Sequence, residues 1–215
     1  MNSIHKYFPA MGINIFWYKE NKKKLDKSAS NLTELNNDVQ LCKKCALSSS
    51  RTNTVFGTGD NNAEIMIIGE APGKDEDLKG EPFVGRAGKL LNEFLDSINL
   101  YRDNIFITNT VKCRPPENRN PETQEIKACA HYLDMQIKII NPKVIILLGK
   151  IAANRMLNED KSIADLRGKK FFLQNHSIPV IVFYHPAYIL RSPLQKHQVW
   201  QDLKFLKEIL SSYVN

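Results

Sequence analysis

The sequence predicts an α/β domain, a three-layer sandwich with a central four-stranded parallel sheet flanked by helices. Three observations carry that expectation. Short β-branched runs alternate with amphipathic stretches along most of the chain, the pattern of β-α-β units. Four of those runs, at residues 65–68, 104–108, 143–148 and 179–184, are nearly continuous in apolar residues. Strands covered by helices on both faces read that way, whereas a half-solvated strand alternates. Polar residues with chemical capacity then stand at the ends of three runs: Glu70, Asn109 and His185. In open parallel sheets ligands bind beyond the carboxyl ends of the strands, so these ends form the expected binding edge.

Taken in order, residues 1–27 read as an N-terminal extension. Tyr7, Phe8, Phe16, Trp17 and Tyr18 give it apolar anchors, and residues 21–27 are mostly charged. Its first eight residues, with Ile4, Tyr7 and Phe8, weakly imitate a sliding-clamp docking peptide, with Met1 where the usual glutamine stands. Residues 28–41 predict a helix with Leu32, Leu35 and Val39 on one face. Residues 51–60 read as a loop around Gly57 and Gly59. Residues 90–100 and 122–140 predict amphipathic helices, and a short helix follows from 151 to 157. Residues 114–121 are a proline-rich connection. Residues 167–174 read as a hairpin or edge segment, and residues 195–213 as a closing helix. Ile189 and Leu190, followed by Arg191, read as an apolar pair in a surface loop, suited to wedging into a duplex.

Composition narrows the function class. The chain has 215 residues and a net charge of +7, from 30 Lys and Arg against 23 Asp and Glu. That size fits one domain, and the basic balance suits a polyanionic partner without proving one. No apolar run reaches membrane-spanning length and no signal peptide is evident, so a cytoplasmic monomer is expected. Four cysteines, Cys42, Cys45, Cys113 and Cys129, open with a C-x-x-C pair. In a reducing compartment such a set suggests structural zinc or an iron–sulfur cluster rather than disulfides. The second pair lies far from the first, so the site would staple an N-terminal segment onto the body of the domain.

The expected site gathers a carboxylate (Glu70), a loop aromatic (Phe83), an amide (Asn109) and an imidazole (His185). Together they suit a flat heterocycle. An amide donates and accepts at once, matching a pyrimidine edge that presents a carbonyl beside a ring N–H. Neither a Gly-Lys-Ser/Thr phosphate loop nor a G-x-G-x-x-G turn after a strand is present, which points to a base rather than a nucleoside triphosphate. On residue types alone, Phe83 could equally be a loop plug, Glu70 a cap and Asn109 a turn former.

Four motifs occur in register: Gly69-Glu70-Ala71-Pro72-Gly73, Pro82-Phe83-Val84-Gly85-Arg86-Ala87-Gly88, Thr108-Asn109-Thr110-Val111-Lys112-Cys113-Arg114-Pro115-Pro116 and His185-Pro186-Ala187. With the cysteine quartet, they make the sequence resemble family 4 of the uracil-DNA glycosylase superfamily, its iron–sulfur branch, over roughly residues 30–212. The resemblance implies a glycosylase-like domain over 28–215, a [4Fe–4S] cluster on Cys42, Cys45, Cys113 and Cys129, and uracil-containing DNA as partner. It implies hydrolysis of the N-glycosidic bond of deoxyuridine, leaving an abasic site in a DNA-repair reaction. Glu70 would position or activate water, with backbone amides near Glu70 and Ala71 on the uracil carbonyls. Phe83 would stack on uracil, Asn109 would read its pairing edge, and His185 would stabilise charge on O2. The segment Ile189, Leu190, Arg191 and Ser192 would contact DNA and fill the gap left by the flipped base.

Departures from the pattern of better-known relatives also carry information. Ala71 stands where those enzymes place a water-activating Asp, which shifts weight onto charge stabilisation of the leaving base. Residues Cys113-Arg114-Pro115-Pro116-Glu117 replace the basic insertion of a sister group that traps its product covalently. Two other readings stay open on the residues: a non-catalytic nucleic-acid-binding module with a structural four-cysteine metal site, and a glycosylase for another deaminated base such as hypoxanthine.

Overall fold

The computed structural model describes residues 31–173 and 177–211. The expected extension over 1–27 and the docking peptide over 1–8 lie outside the described residues. Six strands form one sheet among those residues: β1 (Thr58–Gly59), β2 (Ile65–Gly69), β3 (Phe106–Asn109), β4 (Val144–Leu148), β5 (Phe171–Phe172) and β6 (Pro179–Phe183). Their order is β1-β3-β2-β4-β6-β5. The inner four are parallel, as the sequence predicts, and both edges are antiparallel. The expected strand count of four is therefore corrected to six in a mixed sheet. Each edge strand is two residues long, too short to show a period in sequence, and β1 lies in the stretch read as a glycine loop. Gly59 belongs there because a Cβ would overlap the carbonyl of Ile105.

Period-2 alternation splits the inner strands between two cores. Met66, Ile68, Ile145, Leu147, Val180 and Val182 face one layer. In it lie α1 (Leu32–Leu41), α5 (Thr123–Ile140) and α6 (Lys150–Leu157), which contribute Leu35, Val39, Leu133, Ile137 and Ala153. Ile65, Ile67, Ile107, Ile146, Leu148 and Ile181 face the other. There α4 (Arg86–Asp96) and α9 (Lys196–Ser211) supply Leu91, Leu95, Leu203 and Leu206. Both faces being covered explains why the strands read as unbroken apolar runs. Helix α1 starts where Asn31 accepts from the Glu34 amide at 3.0 Å. No helix among the described residues is long and apolar enough to cross a membrane.

Register fixes the binding edge. Gly69 pairs with Asn109 across β2 and β3, and Leu148 pairs with Phe183 across β4 and β6. His185 follows two residues later as the N-cap of α8 (Pro186–Arg191), its Nδ1 accepting from the Ala187 amide at 3.1 Å. Pro186 at the first helical position starts that helix, since its fixed φ suits the turn and its missing N–H is not needed there. One expectation is overturned here: Ile189 is not in a surface loop. It lies one helical turn into α8, fully buried in the core shared with α4 and α9. Leu190 and Arg191 remain exposed at the end of the helix.

A buried ion pair stands beside the segment that leads from β6 into His185. Arg167, just after α7 (Ile163–Leu166), grips Asp202 of α9 with two bonds of 2.8 and 2.9 Å. Its guanidinium also lies 4.4 Å over the Tyr184 ring, next to His185. Burial pushes the Asp202 carboxyl up to about 6 despite Arg167, so this pair specifies geometry more than it adds stability. Arg167→Met is expected to lower unfolding free energy by about 3–5 kcal/mol, read from denaturant midpoints, by stranding Asp202. The double variant with Asp202→Leu should recover most of that loss.

Candidate active site

The carboxyl ends of β2, β3 and β6 open into a cavity of about 490 Å³. Glu70, Ala71, Phe83, Asn109 and His185, drawn from four separate motifs, all line it. Gly73 and Glu76, the connection at Asn118–Asn120, and Tyr188 and Arg191 of α8 complete the wall. Of the four residues read as contacting DNA, Arg191 faces this cavity. Leu190 is exposed beside it in the chain, Ser192 caps α8, and Ile189 supports the helix from inside.

The aromatic loop is held from both sides. Phe83 takes left-handed backbone (φ 54°), an unfavourable conformation for a residue with a Cβ. Arg102 donates to the Pro82 carbonyl at 2.6 Å and to the Phe83 carbonyl at 3.1 Å. Opposite, Glu76 of α3 (Lys74–Lys79) accepts from the Val84 and Gly85 amides at 2.9 Å each, and from the Gly73 amide at 3.1 Å. One carboxylate thus ties the turn after β2 to the aromatic loop. Gly88 lets α4 start directly against this loop, since a Cβ would overlap the Phe83 carbonyl. The Phe83 ring ends 5.7 Å from the His185 ring, centroid to centroid.

Asn109 is 1% exposed, and its Oδ1 is buried with no hydrogen-bond partner among the described residues. It sits so close to β2 that a Cβ on Gly69 would collide with it and with the Phe83 ring. An orphaned buried acceptor costs about 1–3 kcal/mol, which a ligand N–H placed there would relieve. Behind it, Lys112 is buried to 1% exposure and donates to the Asn109 carbonyl at 2.8 Å. The turn past β2 is sewn to this strand end by Thr110, whose Oγ1 donates to the Glu70 carbonyl at 2.6 Å.

Burial shifts the two titratable groups in opposite directions. It raises the Glu70 carboxyl to about 7, the range in which a carboxylate can take a proton near neutral pH. It lowers the His185 imidazole to about 4, and the charge of Arg191 acts in the same direction. His185 is therefore neutral at pH 7. Because its Nδ1 accepts from Ala187, its proton is on Nε2.

A second cavity gathers all four cysteines: Cys42 and Cys45 beyond α1, Cys113 beyond β3 and Cys129 in α5. None forms a disulfide. Arg51 donates to the Cys113 Sγ at 3.0 Å, and the Lys112 amide donates to the Cys129 Sγ at 3.3 Å. Burial pushes the Cys113 thiol up to about 11, so without a bound cation it keeps its proton. Among the described residues, no group of three or more His, Cys, Asp and Glu side chains is arranged to hold a single metal ion.

Glu76, Arg102 and Lys112 escape the sequence reading. For Glu76 a signal exists: a glutamate three residues after Gly73 is the second half of a capping box. Nothing local marks Arg102, whose partners are distant, and for Lys112 the one local side-chain partner is the Thr108 hydroxyl four residues before it.

The match to known proteins agrees with this geometry. The chain belongs to the uracil DNA glycosylase superfamily, whose sequence pattern it matches over residues 56–204. It is 44% identical over 184 residues to the type-4 uracil-DNA glycosylase of Archaeoglobus fulgidus, covering 83% of this chain and 92% of that one. The type-4 enzyme of Sulfurisphaera tokodaii is 47% identical over 185 residues, covering 83% and 84%. That of Saccharolobus solfataricus is 45% identical over 189 residues, covering 85% and 88%. Within the superfamily, these relatives set the chain in the type-4 branch.

If Glu76 clamps the two turns, Glu76→Ala should speed amide exchange at Gly73, Val84 and Gly85 by about tenfold or more, one hydrogen bond's worth, while amides of β4 keep their protection. Unchanged exchange at those three amides would remove the clamp from the account.

Proposed function

We propose that this protein hydrolyses the N-glycosidic bond of deoxyuridine in DNA, releasing uracil and leaving an abasic site. The single observation that carries the reading is the unpartnered Oδ1 of Asn109, buried in a cavity shared with Glu70, Phe83 and His185. Uracil offers an N3–H for that oxygen and an O4 for the amide N–H beside it. Cytosine presents a lone pair at N3 and would leave the acceptor facing an acceptor. Sites built around buried hydrogen bonds reject such mismatches strongly. The cavity lies at a sheet edge, so the base must leave the duplex stack to enter, with Phe83 as its stacking surface.

In the proposed reaction the C1′–N1 bond breaks, its electron pair staying on uracil. The neutral His185 donates from Nε2 to O2 as negative charge develops there, and Arg191 adds positive potential at the rim. Glu70, which ionises as pH rises through about 7, takes a proton from the water that attacks C1′. Its raised proton affinity gives a chain with Ala71 in the usual aspartate position a competent base. Leu190, Arg191 and Ser192 at the end of α8 are the segment proposed to meet the DNA, with Leu190 placed to fill the vacated stack. The protein acts as a monomer with residues 28–215 as the glycosylase domain.

Cys42, Cys45, Cys113 and Cys129 are read as ligands of a [4Fe–4S] cluster. A cluster spreads its four sulfurs around a cube, whereas one zinc ion needs them all at about 2.3 Å. It would supply a structural tie between the segment after α1 and the exit of β3. Protein purified without oxygen should be brown, with about four irons per chain, as a [4Fe–4S] cluster requires; a colourless, zinc-loaded protein would favour the binding-module alternative.

The test is uracil release from a deoxyuridine oligonucleotide, run beside a hypoxanthine substrate. His185→Ala should lower the single-turnover rate by about 10²–10³, the usual effect of removing one preorganised donor. The rate should rise with pH through a midpoint at about 7 and then level, following ionisation of Glu70. Glu70→Gln should flatten that limb, and a profile that keeps its midpoint in Glu70→Gln would take the base role from Glu70.

A further inference from the structure

Lys112 is 1% exposed, and among the described residues no carboxylate is hydrogen-bonded to it. Its ammonium donates to three neutral oxygens: Thr108 Oγ1 at 2.6 Å, Gln136 Oε1 at 2.6 Å and the Asn109 carbonyl at 2.8 Å. Burying this ammonium is unfavourable even with Cys129, Cys113 and Asp134 near enough to favour its charge, and a methionine would fill similar volume without that cost. Packing therefore does not account for a lysine here. What it supplies is a set of charge-assisted bonds, stronger than neutral ones, at the end of β3. Gln136 is itself fixed, its Nε2 donating to the Phe56 carbonyl at 2.9 Å, so the ammonium meets a rigid set of acceptors.

The bond to Asn109 falls where it matters for base reading. Past β3 the chain leaves the sheet, and the Lys112 side chain folds back three residues to hold the last carbonyl of the strand. With Gly69 and Phe83 packed against its amide and Lys112 on its carbonyl, Asn109 is fixed at both ends. We propose that Lys112 is a positioning residue for base recognition, holding the Asn109 amide at the geometry that uracil requires. This rests on the reading of Asn109 as the base-reading residue. Lys112 touches no substrate and acts only through Asn109.

The test is a double-mutant cycle on the full chain, with cluster-loaded protein matched for iron content and thermal midpoint. Single-turnover uracil release and calorimetric binding of free uracil are measured for Lys112→Met, Asn109→Ala and the pair. Lys112→Met should lose about ten- to hundredfold in both, as loss of a charged hydrogen bond predicts, with the affinity for uracil-free DNA unchanged. Lys112→Arg, which keeps the charge and donors, should recover part of the loss. In the Asn109→Ala background, Lys112→Met should add nothing. Full additivity, or full activity of Lys112→Met, overturns the inference. Full activity of Asn109→Ala instead overturns the reading of Asn109 and the inference with it. Should Lys112→Met fail to fold, Gln136→Leu removes one anchor of the ammonium and must give the same non-additive pattern; an additive loss there rejects the proposal.

Discussion

A carboxamide oxygen packed between a glycine and a phenylalanine ring, with nothing to bond, is the constraint around which this edge of the sheet is built. Gly69 has to lack a side chain because Asn109 and Phe83 occupy the space a Cβ would take. Phe83 has to hold a left-handed backbone to put its ring there, and Arg102 and Glu76 bond the loop on both sides to keep it so. Parallel register supplies the rest, setting Gly69 opposite Asn109 and bringing His185 in from two strands away. Each contact reduces freedom at the site before any ligand arrives. Preorganisation of that kind lowers the ordering cost of binding and of charge stabilisation alike.

The same dryness sets the electrostatics. Burial drives Glu70 up and His185 down, so that near neutral pH one is poised to accept a proton and the other is a neutral donor. Two groups pushed apart by one environment take opposite roles, a pattern common to acid–base sites. On the proposed reading the leaving base carries negative charge toward His185 and Arg191, while water is activated on the Glu70 side. The cysteine cavity stands apart from this chemistry, yet it shares a strand exit with it: Cys113 follows Lys112, whose side chain ends on Asn109.

Much of this was legible in the residues. The four inner strands announced themselves because both sheet faces are covered, and Glu70, Asn109 and His185 because they stand at strand ends. Phe83 was legible from its glycine-flanked loop. Of the two edge strands, β5 falls in the stretch read as a hairpin or edge segment, whereas β1, two residues long, was hidden in the glycine loop. Ile189 was misplaced because an apolar pair next to an arginine reads alike in a loop and in a short helix. Pro186 behind a capping His185 was the cue that decides for the helix. Lys112 and Arg102 were invisible for a different reason. Apart from the Thr108 hydroxyl four residues before Lys112, their partners are backbone carbonyls and neutral amides, and no spacing rule encodes such contacts.

The central claim is that the Asn109 oxygen waits for a ring N–H, and it is tested most directly by calorimetric titration with uracil and with 3-methyluracil. The two ligands share shape, stacking surface and carbonyls, and differ at the one donor in question. The account predicts measurable binding of uracil, competitive with substrate, and loss of that binding when N3 is methylated. Removal of the difference in Asn109→Ala would follow from the same contact. Equal affinity of the wild-type protein for both ligands would contradict the claim.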